Sequence, residues 1–424
     1  MKPIQYRSGV LALVLLSALS LHVSAQEALL GAELAPLLSL AKQSNPEYAS
    51  MQMEAQAASE RVLPAGALPD PKFRTELRDI TKMGEQNPTL NPTDVGSTRY
   101  LFMQDVPWFG KRDLKREIAE LEATGVQSRA AGTWNEIASK IKIAQAQRYF
   151  LYRNEKLTLE ISALLSQLEK VTQARYASGL AAQQDVIRAQ IEQTNLKSER
   201  IALQGELRQV NARLNLILAR SAADPLAPPE KMRSLPEPAQ LELGKLGERL
   251  QAKNPLLYTE ESRQMAADKS RELAYKNRYP DFTLGISPIQ YQGTVKEWEL
   301  MLEINIPLQQ ASRRSQEREA DAMLSAAKMR REALSNQMMS DLAENISAIE
   351  VARKQDQLAT SSLLPQSELT FNSALAGYEA GKVDFSTLLE AQRQIRIARQ
   401  TQIKAQTEAQ IRLAEIEKLL GESL

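Results

Sequence analysis

The sequence predicts a mostly α-helical chain, duplicated end to end, whose four amphipathic strands suit a membrane β-barrel. Three observations predict it. Long proline-free spans are rich in Ala, Gln, Glu, Arg and Leu; short motifs recur about 200 residues apart; and several segments alternate apolar and charged residues with a period of two.

The helices come first. No proline lies between Pro107 and Pro225, between Pro307 and Pro365, or after Pro365. A helix of about 65 residues rising 1.5 Å per residue would reach on the order of 100 Å, far beyond a globular helix. Ile137, Ile141, Ala144, Arg148 and Leu151 step by 4, 3, 4 and 3, and Leu342, Ile346, Ile349 and Arg353 step alike. That spacing buries one seam against a neighbouring helix, as in a coiled coil; helices of an ordinary bundle would step similarly.

The repeats set the organisation. "NPEY" at 45–48 is answered by "NPLLY" at 254–258, and "LPDPKF" at 68–73 by "YPDFTL" at 279–284. "VPWFGKR" (106–112) is answered by "IPLQQASRR" (306–314), with Pro107 and Pro307 ending strands that should finish at one height. "YASGLAAQQDVIRAQ" (176–190) is answered by "YEAGKVDFSTLLEAQ" (378–392). The chain therefore parses into a first repeat at 26–220, with strands near 71–80 and 98–107 and a helical hairpin at 111–220. A proline-rich segment at 221–240 precedes a second repeat at 241–424, with strands near 281–291 and 297–307 and long helices over 309–420.

The strands carry two faces. Phe73, Thr75 and Leu77 oppose Lys72, Arg74, Glu76 and Arg78. Trp298, Leu300, Leu302, Ile304 and Ile306 oppose Glu297, Glu299, Met301, Glu303 and Asn305. The segment at 98–107 is less regular, with Leu101 and Met103 on the face expected to be polar. Strands of about 10 residues with one apolar and one charged face fit a barrel wall between lipid and water, or a soluble antiparallel sheet with one wet face. In lipid, four strands alone would leave unpaired edges, so several chains would have to contribute strands to one barrel.

Targeting favours the membrane reading. Lys2 and Arg7, the apolar run "GVLALVLLSALSL" and "VSA" before Gln26 make residues 1–25 a signal peptide. No later run is long enough for a spanning helix. The chain has no Cys, which excludes disulfides and an N-terminal lipid carried on Cys, and its one His, His22, lies in the signal peptide. The commonest transition-metal ligands and the commonest general base are therefore missing from the mature chain, and no cofactor or catalytic residue is expected. Without Lys2 and Arg7, 51 basic residues face 52 acidic ones, which argues against a nucleic-acid partner.

The duplicated helix-strand-strand-helix plan, the strand-Pro-helix junctions and the paired Tyr-x-x-Gly…Ala-Gln segments resemble the TolC-like outer-membrane efflux proteins over about 36–420. "VPWFGKR" further resembles their heavy-metal branch, which serves tripartite exporters driven by inner-membrane pumps of the RND class. The resemblance implies a homotrimer whose twelve strands form one barrel above a long α-helical tunnel through the periplasm. It places Tyr176, Gly179 and Leu180 at one periplasmic tip and Tyr378, Gly381 and Lys382 at the other, where a periplasmic adaptor docks. It assigns gate positions to Asp185 and Glu390, with Thr387 where Asp is frequent and Val383 where some relatives carry a basic residue; proximity in sequence alone makes Asp384 a candidate for the missing charge.

Glu76, Glu299 and Glu303 would then line the barrel lumen and favour cations, although any water-filled barrel needs a polar lining. The Met51/Met53 and Met338/Met339 pairs could handle soft metals, but helix-spaced Met more often packs. The expected function is an outer-membrane exit duct for heavy-metal cations. The alternatives are a duct for drugs or secreted protein, and, from another class, a periplasmic coiled-coil tether.

Overall fold

The computed structural model describes residues 30–424, so the signal-peptide segment lies outside the described residues. Three helices open the chain, α1 (Leu34–Ser44), α2 (Pro46–Glu60) and α3 (Val62–Gly66), followed by β1 (Lys72–Arg78) and β2 (Ser97–Val106). Two long helices follow, α4 (Lys111–Ala177) and α5 (Gln183–Ile217). A similar succession, with two helices before the strands and three after them, follows as α6 (Leu243–Lys253), α7 (Pro255–Lys276), β3 (Asp281–Tyr291), β4 (Thr294–Asn305), α8 (Gln310–Leu358), α9 (Leu364–Glu379) and α10 (Phe385–Leu420). Among the described residues, one compact unit holds 30–49 with Gly132–Asn254 and Met338–Leu424; the other holds Ser50–Ala131 and Pro255–Gln337.

The second unit contains the sheet. Its antiparallel order is β1-β2-β3-β4, which leaves β1 and β4 as edges. The register aligns Phe73 with Phe102, Phe102 with Ile286 and Ile286 with Leu300. Because side chains alternate, one face collects these residues with Leu284, Leu302 and Ile304, and all of them are exposed. The other face collects the charged residues. Leu101 and Met103, which broke the expected polar alternation of β2, are buried there, because Gly285 opens a recess between them and Met301. A Cβ on Gly285 would stand 3.1 Å from Met301 Cε and 3.2 Å from Leu101 Cδ1.

Along the hydrogen-bonded register Pro107 and Pro307 are offset. Val106 and Ile304 both pair with Phe282, so Pro107 follows that rung directly while Pro307 lies three residues past it. Asn305 still pairs with Asp281, which extends β4 one rung further than β2.

At the first junction Trp108 stacks on Tyr279 and Phe282, with ring centroids 5.1 and 5.5 Å away. Asp281 accepts from the Trp108 amide and the Lys111 amine, both at 2.8 Å, welding the start of α4 to the start of β3. Gly110, at φ +78°, closes the turn, and a side chain there would also meet the Lys276 amine. Gly110→Val should therefore lower stability by about 1–2 kcal/mol, read as a shift of the denaturant midpoint in detergent.

The first unit is built on helix seams. Ile137, Ile141, Ala144 and Leu151 are buried against Leu37, Ala41, Val210 and Leu214. The repeated Asn-Pro motif has a tertiary use: Asn45 caps α2 by accepting from the Tyr48 amide and donates to the Ile217 carbonyl. Asn254 donates likewise to Leu419 near the end of α10.

Arg148 and Arg353, which sat in the predicted seams, do not pack as seam residues. Arg148 is fully buried and donates to the Gly31 and Ala227 carbonyls at 2.9 and 2.6 Å, to Asn211 Oδ1 and to Gln145 Oε1. Burial depresses its pKa below the usual guanidinium value. Arg353 donates to the Pro236 carbonyl. Each arginine thus ties part of the extended 221–240 segment to a long helix through backbone carbonyls, a use that its helical spacing conceals.

Candidate functional site

Two places gather the residues singled out by the sequence. The first is where the α4–α5 and α9–α10 hairpins turn. Gly179 (φ +72°) and Gly381 (φ +71°) end α4 and α9 in the left-handed conformation that glycine adopts without strain. The Leu180 amide donates to the Arg175 carbonyl and the Lys382 amide to the Gly377 carbonyl, both at 2.8 Å, so the two turns close alike.

Their side chains differ. Tyr176 and Leu180 are 47% and 66% exposed, whereas Tyr378, the counterpart of Tyr176, is 4% exposed and donates to Thr172 Oγ1 at 3.2 Å. Lys382 is exposed. Asp384 is the N-cap of α10: it accepts from the Thr387 amide and hydroxyl at 3.0 and 2.7 Å and from the Ser386 hydroxyl. The Thr387 hydroxyl, foremost among these donors, holds the Asp384 carboxyl below the usual carboxylate range. Thr387 thus orients Asp384.

The carboxylates expected at the gate do not bridge the hairpins within the chain. Asp185 lies 4.0 Å from Arg188 on its own helix, and Glu390 pairs at 3.4 Å with Arg393 on its own helix. Val383 packs over Gly377, where an added Cβ would come 3.1 Å from a Val383 methyl.

Arginines outside the predicted set make the bridges. Arg175, in the last turn of α4, donates to the Glu379 carbonyl at 2.8 Å and lies 5.0 Å from the Tyr378 ring centroid. Arg393, Arg396 and Arg399 of α10 pair with Glu192, Glu199 and Glu160 of the first hairpin at 3.7, 2.7 and 3.1 Å. Beneath them lies a core of Leu165, Leu168, Ala189, Phe371, Phe385 and Leu388. One signal could have found Arg175: at the repeat offset of 202 it faces Gly377, so "RYASG" and "GYEAG" differ at the position before Tyr.

The second place is the charged face of the sheet. Glu76 and Glu299, expected in a lumen, are engaged by Arg99, whose guanidinium lies 3.8 Å from Glu76 and 2.8 Å from Glu299. Arg99 also donates to Ser287 Oγ at 3.0 Å. Lys72 pairs with Asp105 at 2.7 Å, and Glu303 is exposed opposite Thr283. Among the described residues no group of three or more His, Cys, Asp or Glu is arranged to hold a metal ion, and no helix is long and apolar enough to cross a membrane.

Comparison with known proteins agrees with this architecture. Residues 246–422 match the outer membrane efflux protein family. The cobalt-zinc-cadmium resistance protein CzcC of Cupriavidus metallidurans is 23% identical over 376 residues, covering 85% of this chain and 83% of that protein. The fold superposes on the channel CusC with a TM-score of 0.79, at 17% identity and 92% coverage of each chain. It superposes on the outer membrane protein VceC of Vibrio cholerae with a TM-score of 0.78, at 17% identity, covering 92% of this chain and 97% of that one. The exposed apolar sheet face, the paired glycine-turned hairpins and these likenesses agree: residues 246–422 carry an outer membrane efflux protein domain, and the chain has the fold of the outer-membrane channels on which it superposes.

Proposed function

We propose that this chain is the exit duct of a tripartite exporter of heavy-metal cations. Three copies would pool their four strands into a twelve-stranded barrel, opened at the hairpin turns by a periplasmic adaptor and driven by an inner-membrane RND pump. The carrying observation is the four-stranded sheet, whose apolar face is bare and whose β1 and β4 edges are open. Such edges are intolerable in lipid unless other chains pair with them.

In this reading Tyr176, Gly179 and Leu180 with Gly381 and Lys382 form the docking tip, where exposed apolar and backbone groups meet the adaptor. Buried Tyr378 is the inner post of the closed state. Asp185 and Glu390 act between chains, since neither bridges the hairpins inside one. Asp384 and Thr387 fix the start of α10. Opening follows when adaptor contacts favour separated hairpins over packed ones.

The likeness to CzcC supports metal cations as cargo. A second reading, efflux of organic compounds, is favoured by Arg99, which neutralises carboxylates that would otherwise attract cations. Deleting the gene and growing the strain on cobalt, zinc, cadmium, drugs and solvents separates the two. The proposal expects sensitivity to at least one metal, restored by the gene in trans. Sensitivity to drugs with unchanged metal tolerance would assign the second cargo.

A further inference from the structure

The charged sheet face is more specific than a generic wet lining. Strand register puts Glu76, Arg99, Ser287 and Glu299 on one side of the sheet, on three neighbouring strands and the edge strand beyond them. Arg99 is the best-held cation among them, its side chain 15% exposed against 60% for Arg74 and 50% for Arg78. Arg74 and Arg78 lie 3.6 and 3.5 Å from Glu76, but both stretch into solvent and have no second anchor among the bonds described above. Arg99 is fixed at three points, by Ser287, Glu299 and Glu76.

A carboxylate belt in a narrow aqueous passage raises the local cation concentration, because low-dielectric walls focus its field. A guanidinium locked into that belt offsets one of the two carboxylate charges at its own level, and Arg74 and Arg78 stand beside Glu76. Without Arg99, Glu299 would keep only the weak 3.5 Å contact from the Ser287 hydroxyl. Glu76 would keep only the two solvent-exposed arginines.

We infer that Arg99 sets the charge selectivity of the strand-built part of the duct. It holds Glu76 and Glu299 as a compensated cluster, so that solutes of either sign and uncharged solutes pass that level alike. This rests on the duct reading, in which the charged face of the sheet lines the passage. Glu303 stays exposed on the same face, so the compensation is local to the Arg99 level.

The chain has no cysteine, so Arg99→Cys introduces a single addressable thiol. The full-length protein is reconstituted in planar bilayers and its reversal potential measured across a KCl gradient. The potassium-to-chloride permeability ratio is expected to rise about threefold in Arg99→Cys. A positively charged methanethiosulfonate added to that variant should return the ratio towards the unsubstituted value, and a negatively charged one should raise it further. Arg99→Lys, which keeps the charge, should leave the ratio near the original and shows that folding is intact. A ratio unmoved by both substitution and labelling, in channels that conduct, overturns the role of Arg99. Absence of any conductance from the unsubstituted protein overturns the duct reading itself, and this inference with it.

Discussion

Replacing Arg175 with Ala is expected to raise the channel's conductance in planar bilayers several-fold. Arg175 joins the hairpins in two ways at once. Its guanidinium caps the Glu379 carbonyl at the end of α9, and it lies over the Tyr378 ring. Loss of a charge-assisted bond and a cation–π contact removes about 2 kcal/mol from the packed arrangement, which multiplies the open-to-closed ratio about thirtyfold. The pairs Arg393–Glu192, Arg396–Glu199 and Arg399–Glu160 remain, so the hairpins stay folded and the effect is read as opening. Arg175→Lys should fall between, because an ammonium cannot cap and stack with one planar group. Conductance unchanged in Arg175→Ala would remove Arg175 from the closing contacts.

The largest loss of stability is expected from Glu417→Ala. Glu417 is buried and binds both Lys142 and Arg233 at 2.9 Å, and it accepts from the Leu424 amide at 3.1 Å. The Lys142 side chain is only 8% exposed, so losing its carboxylate strands an ammonium away from water. Breaking a buried pair on one side costs about 3–5 kcal/mol. Circular dichroism during guanidinium unfolding in detergent should show the lower midpoint. Lys142→Met combined with Glu417→Leu should regain much of the loss, since it removes both desolvated charges. A loss under about 1 kcal/mol in the single variant would show the site to be wetter than its geometry indicates.

The gate positions are instructive about what spacing can reveal. Tyr176 and Tyr378 match in sequence, yet one is exposed and the other buried beneath Arg175. They share the Tyr-x-x-Gly spacing, but only the second hairpin turns its tyrosine toward Thr172. Asp185 and Glu390 carry charge at plausible positions, while the bonds that join the hairpins come from arginines three residues apart along α10. In the sheet, three glutamates were visible by alternation, but Arg99, the partner of Glu76 and Glu299, sits on a strand whose alternation Leu101 and Met103 obscure.

By itself the sequence determined the kinds of element and their order. A period of two or of three to four residues is written into neighbouring side chains, and Pro and Gly mark where such periods must stop. It also determined which sheet face is apolar, because alternation allows only one assignment once the strand exists. The tertiary structure alone decided the partners. Arg99 meets Ser287 across 188 residues, Arg175 meets Glu379 across 204, and Lys142 meets Glu417 across 275. The physical reason is that a charged side chain reads the same locally whether it faces water, a carboxylate or a backbone carbonyl. Only the packing of distant helices and strands brings one of those within reach and excludes the others.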